Sequence, residues 1–360
     1  MNDTLVLDGA YGEGGGQILR TALSLSAITG RPLHLWNIRA ARPKPGLAPQ
    51  HLSAVRAAAE ICGARVSGDE LASTELVFAP GSSVRAGEYL FDVAETAGRG
   101  SAGSVNLILQ TLLVPLALAQ GNSRLVLRGG THVEWSPPFD FIVDAYLPAL
   151  RNMGFRVDAQ LSRWGWYPVG GGEIVCDIAG EPDASAAREN WPRPLGTLQR
   201  GSLIRIRGRA VAANLPEHIP LRMAERARAE LNGLTVPVDI RVETVNAMCA
   251  GAGIFLAADY DALTAAFSAF GKRGKSAELV AEEAATALLK HHRSTAAVEL
   301  HLADQLLLPL ALASGPSAFT VARLTGHLTT NAWAVNQFGI AEVKLESGTP
   351  CQVSVEPRSR

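Results

Sequence analysis

The sequence predicts an α/β (α+β) chain: a large domain of three repeated β-α-β-α-β-β units, with a smaller α/β domain inserted before the third unit. Three observations carry this. An apolar helix that starts at a glutamine and stops at a glycine occurs three times. After each glycine a short strand leads into a polar turn. Between Gly180 and Thr295, about 115 residues break that rhythm.

The three helices run from Gln17 to Gly30, Gln110 to Gly121 and Gln305 to Gly315. Leucine and alanine lie on nearly every face, so all three are predicted to be buried. The strands after them are Pro32–Trp36, Arg124–Leu127 and Phe319–Val321, and the turns hold Arg39–Arg42, Gly129–His132 and Thr325–His327. Arg42 lies 12 residues past its glycine, His132 lies 11 and His327 lies 12. Second helices follow at Pro49–Gly63, Pro138–Gly154 and Thr329–Gly339, each closed by glycine and followed by two strands. The strand that opens each unit is read at Thr4–Leu7, Tyr89–Asp92 and Ala297–Leu300.

The polar, proline-bearing stretch Asp183–Pro194 reads as a linker. The large domain is therefore expected over residues 1–184 and 294–360, and the inserted domain over 185–293. The insert shows a strand near Leu203–Arg207, a helix near Ile219–Leu231, strands near Val238–Ile240 and Ile254–Leu256, and a long helix Ser276–His292. His291 and His292 at its end are expected to be solvated.

Composition excludes several classes. The chain has 360 residues, 47% hydrophobic and 19% charged, so it is globular and large enough for two domains. A net charge of -1 supplies no global basic field for coating nucleic acid, although a local basic cleft is compatible with it. The apolar stretch Leu107–Ala119 is too short for a membrane span. Cys62, Cys176, Cys249 and Cys351 form no CxxC pair, and the start of the chain has no signal-peptide pattern. A cytoplasmic protein with reduced thiols is expected.

The polar turns carry the chemistry. Gly12-Glu13-Gly14-Gly15-Gly16-Gln17, followed by Arg20, puts four glycines just before a helix, where backbone N–H groups can approach an anion. The pattern is neither a Walker A motif nor a dinucleotide fingerprint. Arg39, Arg42 and Lys44 stand with Pro43 and Pro45 in a rigid segment whose guanidinium forks suit phosphate oxygens. His327, between a strand and a helix start, has the chemistry of a base, ligand or nucleophile. Asp304 and Gln305 read as a helix cap or as ligands of a nucleotide or metal.

On the stretches LDGAYGEGGGQILRTALSLSAITG, IRAARPKPGLAPQHL, LADQLLLPLALA and GHLTTN, the chain resembles the RNA 3′-terminal phosphate cyclase family over nearly its whole length. The resemblance implies an ATP-dependent conversion of an RNA 3′-phosphate to a 2′,3′-cyclic phosphate, with Mg²⁺ or Mn²⁺, releasing AMP and pyrophosphate. It implies that His327 is the nucleophile and forms a histidyl-AMP. It assigns Glu13 and Asp304 to metal or nucleotide contact. It assigns Arg20, Arg39, Arg42, Gln50, Gln110 and Gln305 to phosphate and nucleotide contact, with Arg39 and Arg42 on the substrate phosphate. Pro137 matches a position that packs on adenine. The opposite face is usually covered by tyrosine, and this chain has His301 there. Two other readings belong to different classes: a non-catalytic cyclase-like RNA-processing factor, which lacks the nucleophilic histidine, and an enolpyruvyl-transferase-like enzyme, which does not need it.

Overall fold

A computed structural model describes residues 3–97, 101–182 and 190–358. Most of the linker expected from Asp183 onward, and the expected domain boundary at 184/185, lie outside the described residues.

The first sheet is formed by β1 (Leu5–Asp8), β2 (Leu33–Trp36), β3 (Arg65–Ser67) and β4 (Leu76–Ala79), with α1 (Gly16–Thr29) and α2 (Pro49–Cys62) between them. The second contains β5 (Glu88–Asp92), β6 (Ser123–Gly129), β7 (Val157–Arg163) and β8 (Gly172–Ile178). Its helices are α3 (Val93–Ala97), α4 (Val105–Ala117) and α5, residues 139–152, whose middle turn Ile142–Tyr146 is π-helical. Next come β9 (Gly196–Thr197), β10 (Leu203–Ala213), α6 (His218–Leu231), β11 (Val238–Val245), β12 (Gly251–Tyr260), β13 (Thr264–Phe270) and α7 (Ala277–Arg293). The chain ends with α8 (Leu300–Leu310), β14 (Ser317–Val321), α9 (Gly326–Phe338), β15 (Ala341–Glu346) and β16 (Cys351–Pro357).

Three sheets share one order: β1-β2-β4-β3, β5-β6-β8-β7 and β9-β14-β16-β15. In each, the first pair is parallel and the other two are antiparallel. Helices α1, α4 and α8 are buried among them in one continuous apolar core, as their leucine content demands. The fourth sheet, β11-β10-β12-β13, has its own core with α6 and α7.

Four local readings need correction. The strand opening the third unit is not at Ala297–Leu300. The edge strand there is β9, ahead of the insertion, and only Val298 bridges β14. The insertion therefore lies inside the third unit, after its first strand. The reason is local: the Glu299 carboxylate accepts the N–H groups of His301 (2.8 Å) and Leu302 (3.1 Å), so the chain turns into helix at once. For the same reason Asp304 and Gln305 are mid-helix rather than caps, and α4 likewise begins five residues before Gln110. Helix α9 starts at Gly326, capped by the Thr325 hydroxyl on Leu328 N–H at 3.1 Å, which puts His327 in its first turn rather than ahead of it. His291 is buried against Tyr260 and Phe267 instead of solvated. Strand β13 was not anticipated, because three alanines in TAAFSAF dilute the strand signal of Thr264, Phe267 and Phe270.

Candidate active site

The glycine-rich turn connects β1 to α1. Gly12 (φ 59°) and Gly14 (φ 58°) take the left-handed conformation that glycine adopts without steric penalty. A Cβ on Gly12 would sit 2.3 Å from the Thr330 hydroxyl. That hydroxyl accepts the Glu13 N–H at 3.1 Å, so the turn is pinned to α9. Glu13 thereby faces two partners. One carboxylate oxygen takes Arg42 Nη2 at 2.7 Å, and the other lies 3.2 Å from His327 Nδ1. No side chain caps α1, so its first amides point into the site.

His327 is about half exposed. Partial burial holds its imidazole below the ordinary range, against the opposing pull of Glu13, while Arg20, His301 and Arg42 push the same way as burial. The ring is therefore neutral at pH 7. With Nδ1 3.2 Å from the Glu13 carboxylate, the tautomer with its proton on Nδ1 is the favoured one, which leaves the lone pair on Nε2.

Behind this edge a narrow, half-open cleft, with a cavity volume of about 20 Å³, lies between α1, α4, α5, α8 and α9. Arg20, Gln110, Asp304 and Gln305 line it, as expected for residues that act together. The glutamines at equivalent places in the three units, Gln17, Gln110 and Gln305, all reach it. Gln110 donates to Gln305, and Arg20 Nη2 donates to Gln17 at 2.5 Å. Burial lowers the Arg20 guanidinium to about 10, which leaves it charged at neutral pH. Burial lifts the Asp304 carboxyl to about 7, with the nearby charges of His301 and Arg20 opposing. Asn331 ties the walls together: its amide accepts from Thr21 at 2.6 Å and donates to the Asp304 carbonyl at 2.5 Å.

The remaining expected residues are placed as follows. Arg39 (φ 53°) donates to the Gly46 carbonyl at 2.7 Å within its own turn. Gln50 accepts the Ser104 N–H at 3.1 Å, and the Pro137 carbonyl accepts from Asn106 at 2.9 Å. These two contacts hold Gln50 and Pro137 against the start of α4, and neither lines the cleft itself. His301 is in the first turn of α8 with its ring 76% exposed, not in a strand facing the core. Its Nδ1 lies 2.8 Å from Glu299, which lifts the imidazole to about 9. His132, the equivalent of His327 in the second unit, does not join the site. It is buried, bonded to Asp140 at 2.7 Å and stacked on Trp164 at 4.3 Å.

Sequence reasoning missed Gln17, Tyr146, Asn331 and His51. The repeat itself signalled Gln17. His51 gave no signal: it is buried, accepts the Ala48 N–H on Nδ1 at 3.2 Å, and its Nε2 stands 2.3 Å from where a Cβ on Gly16 would be. Burial depresses it to about 3, so it is a neutral donor beside the glycine turn.

Among the described residues no group of three or more His, Cys, Asp or Glu side chains is arranged to hold a metal. Mg²⁺ usually takes one or two carboxylates and completes its shell with water and substrate phosphates. Glu13 at the mouth and Asp304 inside are carboxylates of that kind. The raised value of Asp304 marks a buried carboxyl that a nearby cation would ionise.

A mixed α/β enzyme with a neutral, carboxylate-oriented histidine beside an arginine-lined cleft is the class this geometry defines. Comparison with known sequences gives the family. The RNA 3′-terminal phosphate cyclase pattern matches residues 11–345. RNA 3′-terminal phosphate cyclases from Methylococcus capsulatus, Nostoc punctiforme and Salmonella agona are 56%, 49% and 47% identical to the chain. The alignments cover 96%, 94% and 95% of this chain and 94%, 95% and 94% of those proteins. The chain belongs to the RNA 3′-terminal phosphate cyclase family, whose members are ligases. Among solved structures, the enolpyruvyl transferase NikO from Streptomyces tendae aligns at a TM-score of 0.25 and 17% identity, over 46% of this chain and 30% of that one, too weak to support the enolpyruvyl reading.

Proposed function

We propose that this enzyme closes RNA 3′-phosphate ends into 2′,3′-cyclic phosphates at the expense of ATP, with His327 as the covalent nucleophile. The observation that carries the reading is the pairing of His327 Nδ1 with Glu13 at 3.2 Å. It orients a neutral ring so that Nε2 can attack. In the first step a bond forms between His327 Nε2 and the α-phosphorus, and the bond to pyrophosphate breaks. Glu13 stabilises the charge that develops on the imidazole. Arg20 and the amides at the start of α1 face the phosphate oxygens, and Gln110, Asp304, Gln305, Gln50, Pro137 and His301 surround the rest of the nucleotide. A bound Mg²⁺ or Mn²⁺, held by Glu13 or Asp304, would neutralise the leaving pyrophosphate.

Arg39 and Arg42 next hold the RNA 3′-phosphate while it takes AMP from His327. The adjacent 2′-hydroxyl then attacks the activated phosphorus and expels AMP. The ribose presents that hydroxyl at high effective concentration, so little further catalysis is required. We also place the chain up to β9, together with residues 294–360, in one domain and the stretch from the end of β9 to 293 in another, since β9 pairs with β14; this moves the expected boundary at 184/185 past β9. We place the enzyme in the cytoplasm. The free thiols among its cysteines fit a reducing compartment. Among the described residues no helix is long and apolar enough to cross a membrane.

Incubation with α-labelled ATP and Mg²⁺, followed by denaturation, tests this directly. Acid-labile, alkali-stable label on the wild-type protein is expected, and none on His327→Ala. A non-catalytic factor or an enolpyruvyl transferase would carry no label.

A further inference from the structure

Beside the start of α1 stands a donor that the fold leaves unused. His51, in the first turn of α2, is 5% exposed. Its Nδ1 accepts the Ala48 N–H at 3.2 Å, as the third residue of a capping box does. That bond settles the tautomer: in a neutral ring the proton is on Nε2. Glutamate or glutamine would serve the cap equally well. The imidazole adds a second nitrogen on its far side, and nothing among the described residues accepts the proton there.

That nitrogen is aimed at the glycine face of α1. A Cβ on Gly16 would lie 2.3 Å from His51 Nε2 and 3.1 Å from Arg20 Nη1, and a Cβ on Gly15 would lie 3.0 Å from Arg42 Nη2. Three N–H donors, from α2, from α1 and from the turn after β2, thus border one strip of bare backbone. No side chain caps α1, so its first amides open onto the same strip. Arg42 Nη2 is bonded to one oxygen of Glu13 at 2.7 Å, and the other oxygen lies 3.2 Å from His327 Nδ1. The strip is therefore one carboxylate away from the nucleophile. Donors that outnumber acceptors at a helix start make an anion site.

We propose that His51 is a phosphate-binding residue, donating from Nε2 to an oxygen of the phosphate that enters or leaves opposite His327. This rests on the nucleotidyl-transfer reading above. In an in-line displacement the entering and leaving groups stand on opposite sides of the phosphorus. Pyrophosphate therefore leaves on the side away from His327 Nε2. In the second step an oxygen of the RNA 3′-phosphate bonds to the α-phosphorus from that same side, as the bond to Nε2 breaks. One subsite serves both phosphates. Burial, with the charges of Arg20 and Arg39, holds the His51 imidazole down to about 3. The ring is uncharged in the neutral range and supplies direction rather than charge.

The test uses the full chain and inorganic pyrophosphate, whose binding is followed by calorimetry and requires no chemistry. His51→Met removes the donor, and His51→Gln, of the same length, carries an amide donor to about the place of Nε2. His51→Met is expected to raise the dissociation constant about tenfold, the size of one hydrogen bond to a charged group, and His51→Gln to restore most of the affinity. Loss of the cap in His51→Met is read separately, as a lower Tm. Should His51→Met not fold, His51→Asn takes its place, because its amide oxygen replaces Nδ1 in the cap and no atom replaces Nε2. Pre-adenylylated protein then assigns the phosphate. The half-saturating concentrations of pyrophosphate for regenerating ATP, and of RNA 3′-phosphate for taking AMP, should both rise in the donor-free variant. A rise in one alone supports the proposal and assigns the subsite to that phosphate. Wild-type affinity for pyrophosphate in the donor-free variant, or equal weakening by His51→Gln, overturns it. Absence of label on the wild-type protein would instead remove the nucleotidyl-transfer reading, and the pyrophosphate titration would still decide on His51.

Discussion

Gly12→Ala tests how the glycine turn aims Glu13. The backbone at Gly12 has φ 59°, and alanine there costs about 1 kcal/mol or more. The new methyl would lie 2.3 Å from Thr330 Oγ1. Thr330 is 1% exposed in α9 and has little room to yield, so overpacking adds roughly 1–3 kcal/mol. Displacing that hydroxyl also breaks its bond from the Glu13 N–H, worth about 1 kcal/mol. The total is about 3–5 kcal/mol, a drop in Tm of roughly 10 °C for a domain of this size. Adenylylation should fall further than the folded fraction does, because Glu13 loses its register with His327. Combining Gly12→Ala with Thr330→Ala removes the offending oxygen and leaves the nearest atom, the Thr330 Cβ, at 3.4 Å. The double variant should therefore melt above the value expected from adding the two single changes, a coupling readable in a thermal or urea cycle. Strict additivity, or a Gly12→Ala protein with normal Tm and labelling, would refute this account of the turn.

Three further outcomes are expected. Glu13→Gln should slow formation of labelled protein roughly 10–100-fold, the loss of one close charged partner of His327; because Glu13 is part-exposed, stability should stay within about 1 kcal/mol of wild type, and an unchanged labelling rate would break the link between Glu13 and His327. His132→Ala should destabilise by about 3 kcal/mol or more, since it empties a buried aromatic site and strips Asp140 of one partner, while label per folded molecule stays normal. Stability should also fall on acidification from pH 6.5 to 4. His51 at about 3 and His291 at about 4 are neutral in the fold but take up protons on unfolding, so their contribution is full above pH 6.5 and lost below it. Asp304 at about 7 works in the opposite direction by one proton, while His132, His292 and His327, all held below the ordinary range, add to the loss, so the net slope is about 1.4 kcal/mol per pH unit or more. Urea melts at pH 6.5 and 5 that coincide would contradict it.

What could be read from the sequence followed from chemistry that repeats. Helices α1, α4 and α8 announce themselves because a helix rich in leucine on all faces has to be buried; glycines stop α1, α2 and α9 with left-handed caps, whereas α4 and α8 end at Ala117 and Leu310, before the expected Gly121 and Gly315, with right-handed caps. Arg20, Gln110, Asp304 and Gln305 were marked out chiefly by the family resemblance, and the packing of their helices brings the four to one cleft. What escaped depended on long-range contacts. Nothing near His51 in the sequence says that it will be packed under Gly16. Nothing in AAVEL says that Glu299 will cap a helix rather than extend a strand. The first strand of the third unit was misplaced because two residues of β9, separated from their sheet partner by the insertion, carry almost no pattern of their own.

The fate of two equivalent histidines shows how the repeat became one site. His132 and His327 follow equivalent strands, His132 ahead of its helix and His327 in the first turn of its own. After β6, the chain supplies Trp164 and Trp166, which stack on His132 at 4.3 and 5.3 Å, and Phe255 of β12, which closes the edge at 5.0 Å. Asp140 is shared between His132 and Arg209 of β10. That position is thus spent on fastening the inserted domain to the second unit. In the third unit no aromatic ring among the described residues stacks on His327. Instead the glycine turn of the first unit reaches across to bring Glu13 to His327 and to anchor on Thr330. The fate of each histidine is decided less by the residue type than by which neighbouring unit meets it: an aromatic cage makes one a fastening, and a carboxylate on a glycine turn orients the other for the nucleophilic role proposed for it.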